Sequence, residues 1–249
     1  MVGALLSTAA GITAAVSLGF QSMWPKGQWY GRTFCGLPKD SRMLALTYDD
    51  GPNDPHTLHL LQILAKHDVH ATFFMIGRYV KQRPDIAREV ARAGHVIGNH
   101  TFNHPNLIRV SSRETRKELE DCEKALTDAV GEHSALFRPP FGGRRPSTLR
   151  VARSLGLDPV MWNMTGYDWR GLPAGYIERK LRNQIRGGSV ILLHDGSHQK
   201  FGADRAQTVI ATDHLLAKYG AEGYRFVTIP QMMQKAASAQ PSAFSQTNL

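Results

Sequence analysis

The chain has 249 residues, 42% of them apolar, which is enough to bury a full core and excludes disorder as the default; one folded domain with short extensions is expected. Its 30 Lys and Arg against 21 Asp and Glu leave a formal charge of +9 without a long basic run. That charge suits a solvated basic exterior or a weak preference for an anionic surface, and the lack of any nucleic-acid reader motif argues against nucleic acid as a partner.

At the N-terminus, Val2 to Pro25 carries no charge and is rich in Ala, Gly, Ser and Leu. Residues 1–25 therefore read as a signal or membrane-anchoring segment, although the first cation, Lys26, follows the apolar stretch instead of preceding it. A packing helix is the alternative. The expected location is outside the cytoplasm or anchored at the cell envelope. Residues 26–41 read as a linker or N-terminal extension, 42–235 as the main domain, and 236–249 as a flexible tail.

Within the main domain, short apolar runs alternate with segments of helical spacing, the pattern of parallel strands joined by crossover helices. The predicted strands are Met43 to Tyr48, Ala71 to Ile76, His95 to Asn99, Ala135 to Arg138, Pro159 to Asn163, Ser189 to Leu193 and Tyr224 to Ile229. Seven such units favour an α/β barrel over an open doubly wound sheet. The clearest helix runs from Ser111 toward Val130, opened by a Ser111/Glu114 capping box. Its stripe Leu119, Cys122, Leu126, Ala129 makes Cys122 a small core residue, and spacing alone does not pair it with Cys35.

The chemically suggestive groups sit just after these strands, the edge that holds the active site in α/β barrels. Strand one ends in Thr47-Tyr48-Asp49-Asp50-Gly51-Pro52, and strand three in Asn99-His100-Thr101-Phe102-Asn103-His104. Strand four ends in Arg138-Pro139-Pro140-Phe141-Gly142. Strand five leads to Tyr167-Asp168-Trp169, and strand six to Leu192-Leu193-His194-Asp195-Gly196. Two adjacent carboxylates at one strand end repel unless a cation or proton is shared. His100 and His104 offer two imidazole nitrogens, which with one Asp oxygen make a three-ligand site with open positions for water and substrate. Taken singly, an Asp-Asp-Gly-Pro run is more often a turn, and two histidines four apart are more often surface or packing residues. Their joint occurrence, in order and each at a strand end, favours the chemical reading.

These five motifs resemble the polysaccharide deacetylase family, the NodB-homology or carbohydrate esterase family 4 domain, over about residues 42 to 232. The resemblance implies a distorted (β/α)7 barrel that hydrolyses acetyl groups from an N-acetylated carbohydrate of chitooligosaccharide or peptidoglycan type. It implies that Asp50, His100 and His104 bind a divalent metal, zinc first, with cobalt, nickel or iron as alternatives. Asp49 would be the general base and His194 the acid, with the backbone N–H of Phe141 at the oxyanion. Arg138 would orient Asp49 and pair with Asp168, and Asp168 would keep His194 protonated. Leu192 and Trp169 would wall the pocket for the acetyl methyl group. Two positions depart from the family pattern: Thr165 stands where many members have Asp, and Phe141 where the arginine motif often ends in Tyr. The partners implied are an acetylated glycan and, through the N-terminal segment, a membrane, with the chain itself a monomer. Competing readings are an O-acetyl (xylan) esterase using the same residues and a silent glycan-binding barrel; retention of Asp49 and His194 disfavours the second. A structural membrane protein leaves the motifs unexplained.

Overall fold

Strand β1 (Met43–Gly51) is the organising element of the computed structural model, which describes residues 19–238; all of the strand but its first residue is buried. Its side chains alternate between two faces. Leu44, Leu46 and Tyr48 join the larger apolar cluster, whereas Ala45 joins a smaller one with Phe74, Val160 and Val190. Thr47 and Asp49 follow Ala45 in the same alternation, so a carboxylate near the end of this strand shares a face with the smaller cluster.

Helix α1 (His56–Lys66) leads to β2 (Thr72–Met75). Helices α2 (Gly77–Gln82) and α3 (Pro84–Arg92) then precede β3 (Val96–Asn99). Helix α4 (Ser112–Val130) has the expected capping box: Glu114 N–H donates to Ser111 Oγ, and Ser111 N–H to the Glu114 carboxylate. Cys122 lies on its buried face, and Cys122 and Cys35 are both free. Strand β4 (Leu136–Phe137), helix α5 (Pro146–Ser154) and the short strands β5 (Asp158–Pro159) and β6 (Met164–Thr165) follow. The chain continues through α6 (Ala174–Arg182), β7 (Ser189–His194), α7 (Ala206–Ala221), β8 (Arg225–Phe226) and α8 (Ile229–Ser238).

The sheet order is β5-β4-β3-β2-β1-β7-β6, with β8 added at the base of β1, and all these pairings are parallel. The result is a curled, parallel-stranded half-barrel with crossover helices, the α/β class expected from the alternation. Among the described residues no ladder joins β5 to β6. Residues 26–41 run to this seam: Phe34 bridges Val160 and Gly36 bridges Ser189, with Met161 N–H donating to Phe34 O (2.7 Å).

Two predicted strands differ from the observed ones. Pro159 to Asn163 is not one strand: the register with β4 ends at Pro159 with Val160 N–H donating to Phe137 O (2.8 Å), Met161 N–H then turns to Phe34 O (2.7 Å), and Asn163 uses its side-chain oxygen to accept from Val190 N–H (3.0 Å). Tyr224 to Ile229 shortens to Arg225–Phe226, because Ile229 already opens α8 with Pro230 in its first turn. The signal or anchor reading falls mostly on residues 1–18, and most of the tail on residues 239–249; both stretches lie outside the described residues. Among the described residues no helix is long and apolar enough to cross a membrane.

Candidate metal and catalytic site

In a regular strand Asp49 and Asp50 would point to opposite faces. The β1–β2 register slips between Asp49 and Gly51, and Asp50 takes a left-handed backbone (φ 73°). This bulge re-aims one side chain, and both carboxylates line one cavity. The strand ends are pressed together there. A side chain on Gly51 would meet the Asp195 carboxylate at 2.1 Å, and one on Gly196 would meet Asp50 O at 2.1 Å, which explains a glycine in each motif.

His100 leaves β3 beside Asn99, and the turn to His104 uses left-handed residues at Thr101 (φ 64°) and His104 (φ 62°). Asn99 Oδ1 accepts from Thr101 N–H (2.8 Å) and Thr101 Oγ1 from His104 N–H (3.0 Å), so side chains supply the hydrogen bonds that a regular turn would make from backbone. His100 Nδ1 donates to Arg138 O (2.8 Å), which sets the tautomer and leaves Nε2 with its lone pair toward the carboxylates. Asp50 Oδ1 lies 3.5 Å from His100 Nε2 and 3.1 Å from His104 Nε2, yet it is buried and hydrogen-bonded to neither.

Burial pushes the Asp50 carboxyl up, but the surrounding imidazoles outweigh burial and hold it well below the usual carboxylate range. Burial also pulls His104 down to about 4, against the pull of Asp50, so its ring is neutral at neutral pH. One carboxylate oxygen and two imidazole nitrogens thus converge within 4.8 Å of one another. An unpartnered carboxylate oxygen facing two imidazole nitrogens fits a divalent cation, with the remaining positions open.

Asp49 is held from the opposite side. The fully buried Arg138 donates through Nη1 to Asp49 Oδ1 (2.7 Å) and to Thr47 Oγ1 (2.7 Å), two residues apart on one face of β1. Its Nε and Nη2 donate to Val160 O and Met161 O, and its guanidinium lies 4.1 Å from the centroid of the Phe74 ring. Asp49 Oδ2 remains directed toward His100 Nε2 at 3.7 Å.

His194 ends β7 in register with Asp49. Asp168, which is also buried, accepts from the His194 backbone N–H (2.7 Å), the His194 ring Nδ1 (3.0 Å) and Thr208 Oγ1 (3.0 Å). Burial lowers the His194 pKa, but the Asp168 charge and hydrogen bond overcome it and raise the ring to about 9. His194 is therefore a charged acid at neutral pH, with its proton-bearing edge fixed. Trp169 packs edge-on to it at 5.2 Å. Asp49, Asp50, His100, His104, Phe141, Trp169, Leu192 and His194 all line one cavity of about 330 Å³.

Residues 36–160 match the family model described as polysaccharide deacetylase. A peptidoglycan-N-acetylglucosamine deacetylase of Bacillus cereus is 35% identical over 85% of this chain and 76% of its own. This chain belongs to the polysaccharide deacetylase family. A chitooligosaccharide deacetylase of Azorhizobium caulinodans is 33% identical over 78% of this chain and 96% of its own. The fold is likewise similar to the crystal structure of a peptidoglycan N-acetylglucosamine deacetylase in complex with a naphthalenyl N-oxidanyl-benzamide. That structure has a TM-score of 0.77 and 34% identity, and the match covers 81% of this chain and 92% of that one.

One contact implied by the family pattern is absent from this member. Arg138 does not pair with Asp168: its donors are taken by Asp49, Thr47 and two carbonyls, and Asp168 is taken by His194 and Thr208. The two ion pairs are separate, one orienting each side of the cavity. At the departing position, Thr165 Oγ1 accepts from Tyr167 N–H (3.3 Å), a local turn contact. Phe141 holds a left-handed backbone (φ 59°) with its ring exposed and edge-on to His104 (4.6 Å).

Three residues to which the sequence assigned no role also belong to this site. Trp162 and His198 line the cavity. Asp195 backs it: Thr57 Oγ1 donates to Asp195 Oδ2 (2.5 Å), and burial pushes the Asp195 carboxyl up to about 7. Asp195 was legible as part of the fifth motif, whereas no local pattern marks Trp162 or His198.

Proposed function

We propose that this chain is a metal-dependent hydrolase that removes acetyl groups from an N-acetylated glycan of peptidoglycan or chitooligosaccharide type, cutting a non-peptide carbon–nitrogen amide bond. One observation carries the reading: a metal-fitting triangle, a carboxylate clamped by Arg138 and an imidazolium clamped by Asp168 face the same cavity. The named relatives support the glycan class.

Asp50, His100 and His104 would hold the cation, zinc before cobalt, nickel or iron, which would acidify a water molecule and polarise the acetyl carbonyl. Asp49 takes the proton from the attacking water, with Arg138 keeping its carboxylate in place. The backbone N–H of Phe141 is the proposed donor to the oxyanion. His194 gives its proton to the leaving nitrogen. An amine leaves poorly without that proton, so an acid held charged suits an N-acetyl substrate better than an O-acetyl ester. Leu192 and Trp169 supply apolar walls for a methyl group and leave little room for a larger acyl chain.

Chelation of the purified protein is expected to abolish acetate release from chitooligosaccharides or peptidoglycan, and added zinc or cobalt to restore it. Full activity in a preparation shown to contain no metal would overturn the reading. Screening the same two glycans beside acetylated xylan assigns the substrate class.

The N-terminal segment is proposed to export or anchor the enzyme. The described residues next to it expose Phe20, Met23, Trp24 and Trp29, side chains suited to a bilayer interface. Deleting residues 2–18 is expected to move the protein to the soluble fraction with its activity intact. Deleting 2–25 should also lower the melting temperature. It removes Ser22 O, which accepts from the Arg144 backbone N–H (3.0 Å), and Trp24 O, one of the carbonyls that accept from its guanidinium (2.8 Å), and so takes an acceptor from each of two buried donors. A full-length protein found only in cytosol contradicts the anchoring proposal.

A further inference from the structure

The two histidines of the metal triangle are held differently. His100 has the usual outer support, its Nδ1 donating to Arg138 O. The Nδ1 of His104 is buried and has no hydrogen-bond partner among the described residues. Its ring orientation therefore rests on packing. Phe141 meets it edge-on at 4.6 Å, and His198 stacks on its face at 4.5 Å with 15° between the planes.

His198 also touches the third ligand. Its backbone N–H donates to Asp50 Oδ2 (3.1 Å), and its ring Nδ1 lies 3.6 Å from the same oxygen. That leaves Oδ1, on the side of His100 and His104, as the unpartnered oxygen. The loop carrying His198 is itself tied down. Arg78 Nη2 donates to His198 O, and Tyr79 Oη donates to Ser197 O (2.9 Å), both from helix α2. Arg78 and Tyr79 stand just after β2, so the latch joins two neighbours of β1 across the site.

We infer that His198 is a positioning residue for the metal ligands: its ring takes the place of the missing hydrogen bond behind His104, and its backbone N–H selects which Asp50 oxygen faces the metal. Arg78 and Tyr79 hold it there. This rests on the proposed metal-dependent reading and adds a residue to it. Without the stack, the His104 ring gains rotational freedom that binding must remove, and without the latch the Asp50 carboxylate does too. Loss of such outer support commonly weakens metal binding about 10–100-fold.

The test measures zinc and cobalt dissociation constants, the cobalt absorption spectrum and apo-protein melting for His198→Ala, His198→Phe and Tyr79→Phe. His198→Ala is expected to weaken metal binding at least about tenfold, to alter the cobalt spectrum, and to leave apo melting unchanged because the side chain is one-third exposed. His198→Phe keeps a flat ring and should restore most of the affinity. At saturating metal, kcat of His198→Ala should return to within about threefold of the parent. Tyr79→Phe, which removes one latch bond and little volume, should show the same loss in smaller measure. Wild-type affinity and spectrum in His198→Ala would overturn the inference while leaving the deacetylase reading intact. A parent protein that neither binds metal nor releases acetate fails that reading instead.

Discussion

Asp49→Asn is expected to retain its metal and lose acetate release by about 10²–10⁴-fold, the usual cost of removing a general base. The amide can still accept from Arg138 through its oxygen, but it cannot take the water proton. It also leaves the buried Arg138 charge uncompensated, so melting should fall as well; loss of one member of a buried pair commonly costs about 3–5 kcal/mol. Rates are therefore compared on protein verified as folded. Asp50→Asn should behave in the opposite way. The neutral oxygen is a weaker ligand, metal content drops, and excess zinc restores part of the rate. Adjacent residues with the same side chain thus fail differently, because the bulge at Asp50 gives each carboxylate its own neighbours. Metal content and acetate release on the two purified variants decide the point: metal lost from Asp49→Asn and kept by Asp50→Asn would reverse the roles.

His194→Ala is expected to keep metal and to damage an amide substrate far more than an activated aryl ester, whose leaving group departs without a proton. The same acid sets a pH dependence. In the proposed mechanism His194 reacts in its charged form, and its pKa of about 9 lies above the ordinary 6.5. Activity that depends on this proton is present below about 9 and lost as pH rises through it. The charge of a bound cation acts against protonation and moves that basic limb downward. The same shift is a stability statement. The His194–Asp168 pair contributes stability in full below 6.5, and that contribution fades as pH rises through about 9. Asp168→Asn keeps acceptor oxygen for the His194 backbone and Thr208 but removes the charge. The basic limb of kcat/KM should move down by at least about one unit, roughly tenfold in the proton equilibrium. A limb that stays in place in Asp168→Asn would show that Asp168 does not tune the acid.

Much of this site was legible as motifs at strand ends. Asp, Gly and Pro after a mainly apolar run, or His after Asn, are local chemistry, and each marks where a strand stops. The capping box at Ser111 and the apolar stripe through Cys122 are equally local, and the structure has both. What spacing could not supply was orientation. Nothing in Asp49-Asp50 says that the second residue is bulged, and nothing in the arginine motif says that Arg138 serves Thr47 and Asp49 while Asp168 serves His194.

By itself, the sequence determined the α/β alternation, the ordered set of Asp, His and Arg groups at one edge, and hence the family and its chemistry, because these depend on residue type and short-range pattern. Only the tertiary structure decided which of those groups meet. The register of β1 against β7 sets Asp49 beside His194, the seam between β5 and β6 receives residues 34–36, and a loop 148 residues from Asp50 brings His198 onto Asp50 and His104. Such contacts follow from sheet curvature, register and loop length acting together over the whole chain, and a side chain carries no local trace of a partner that distant.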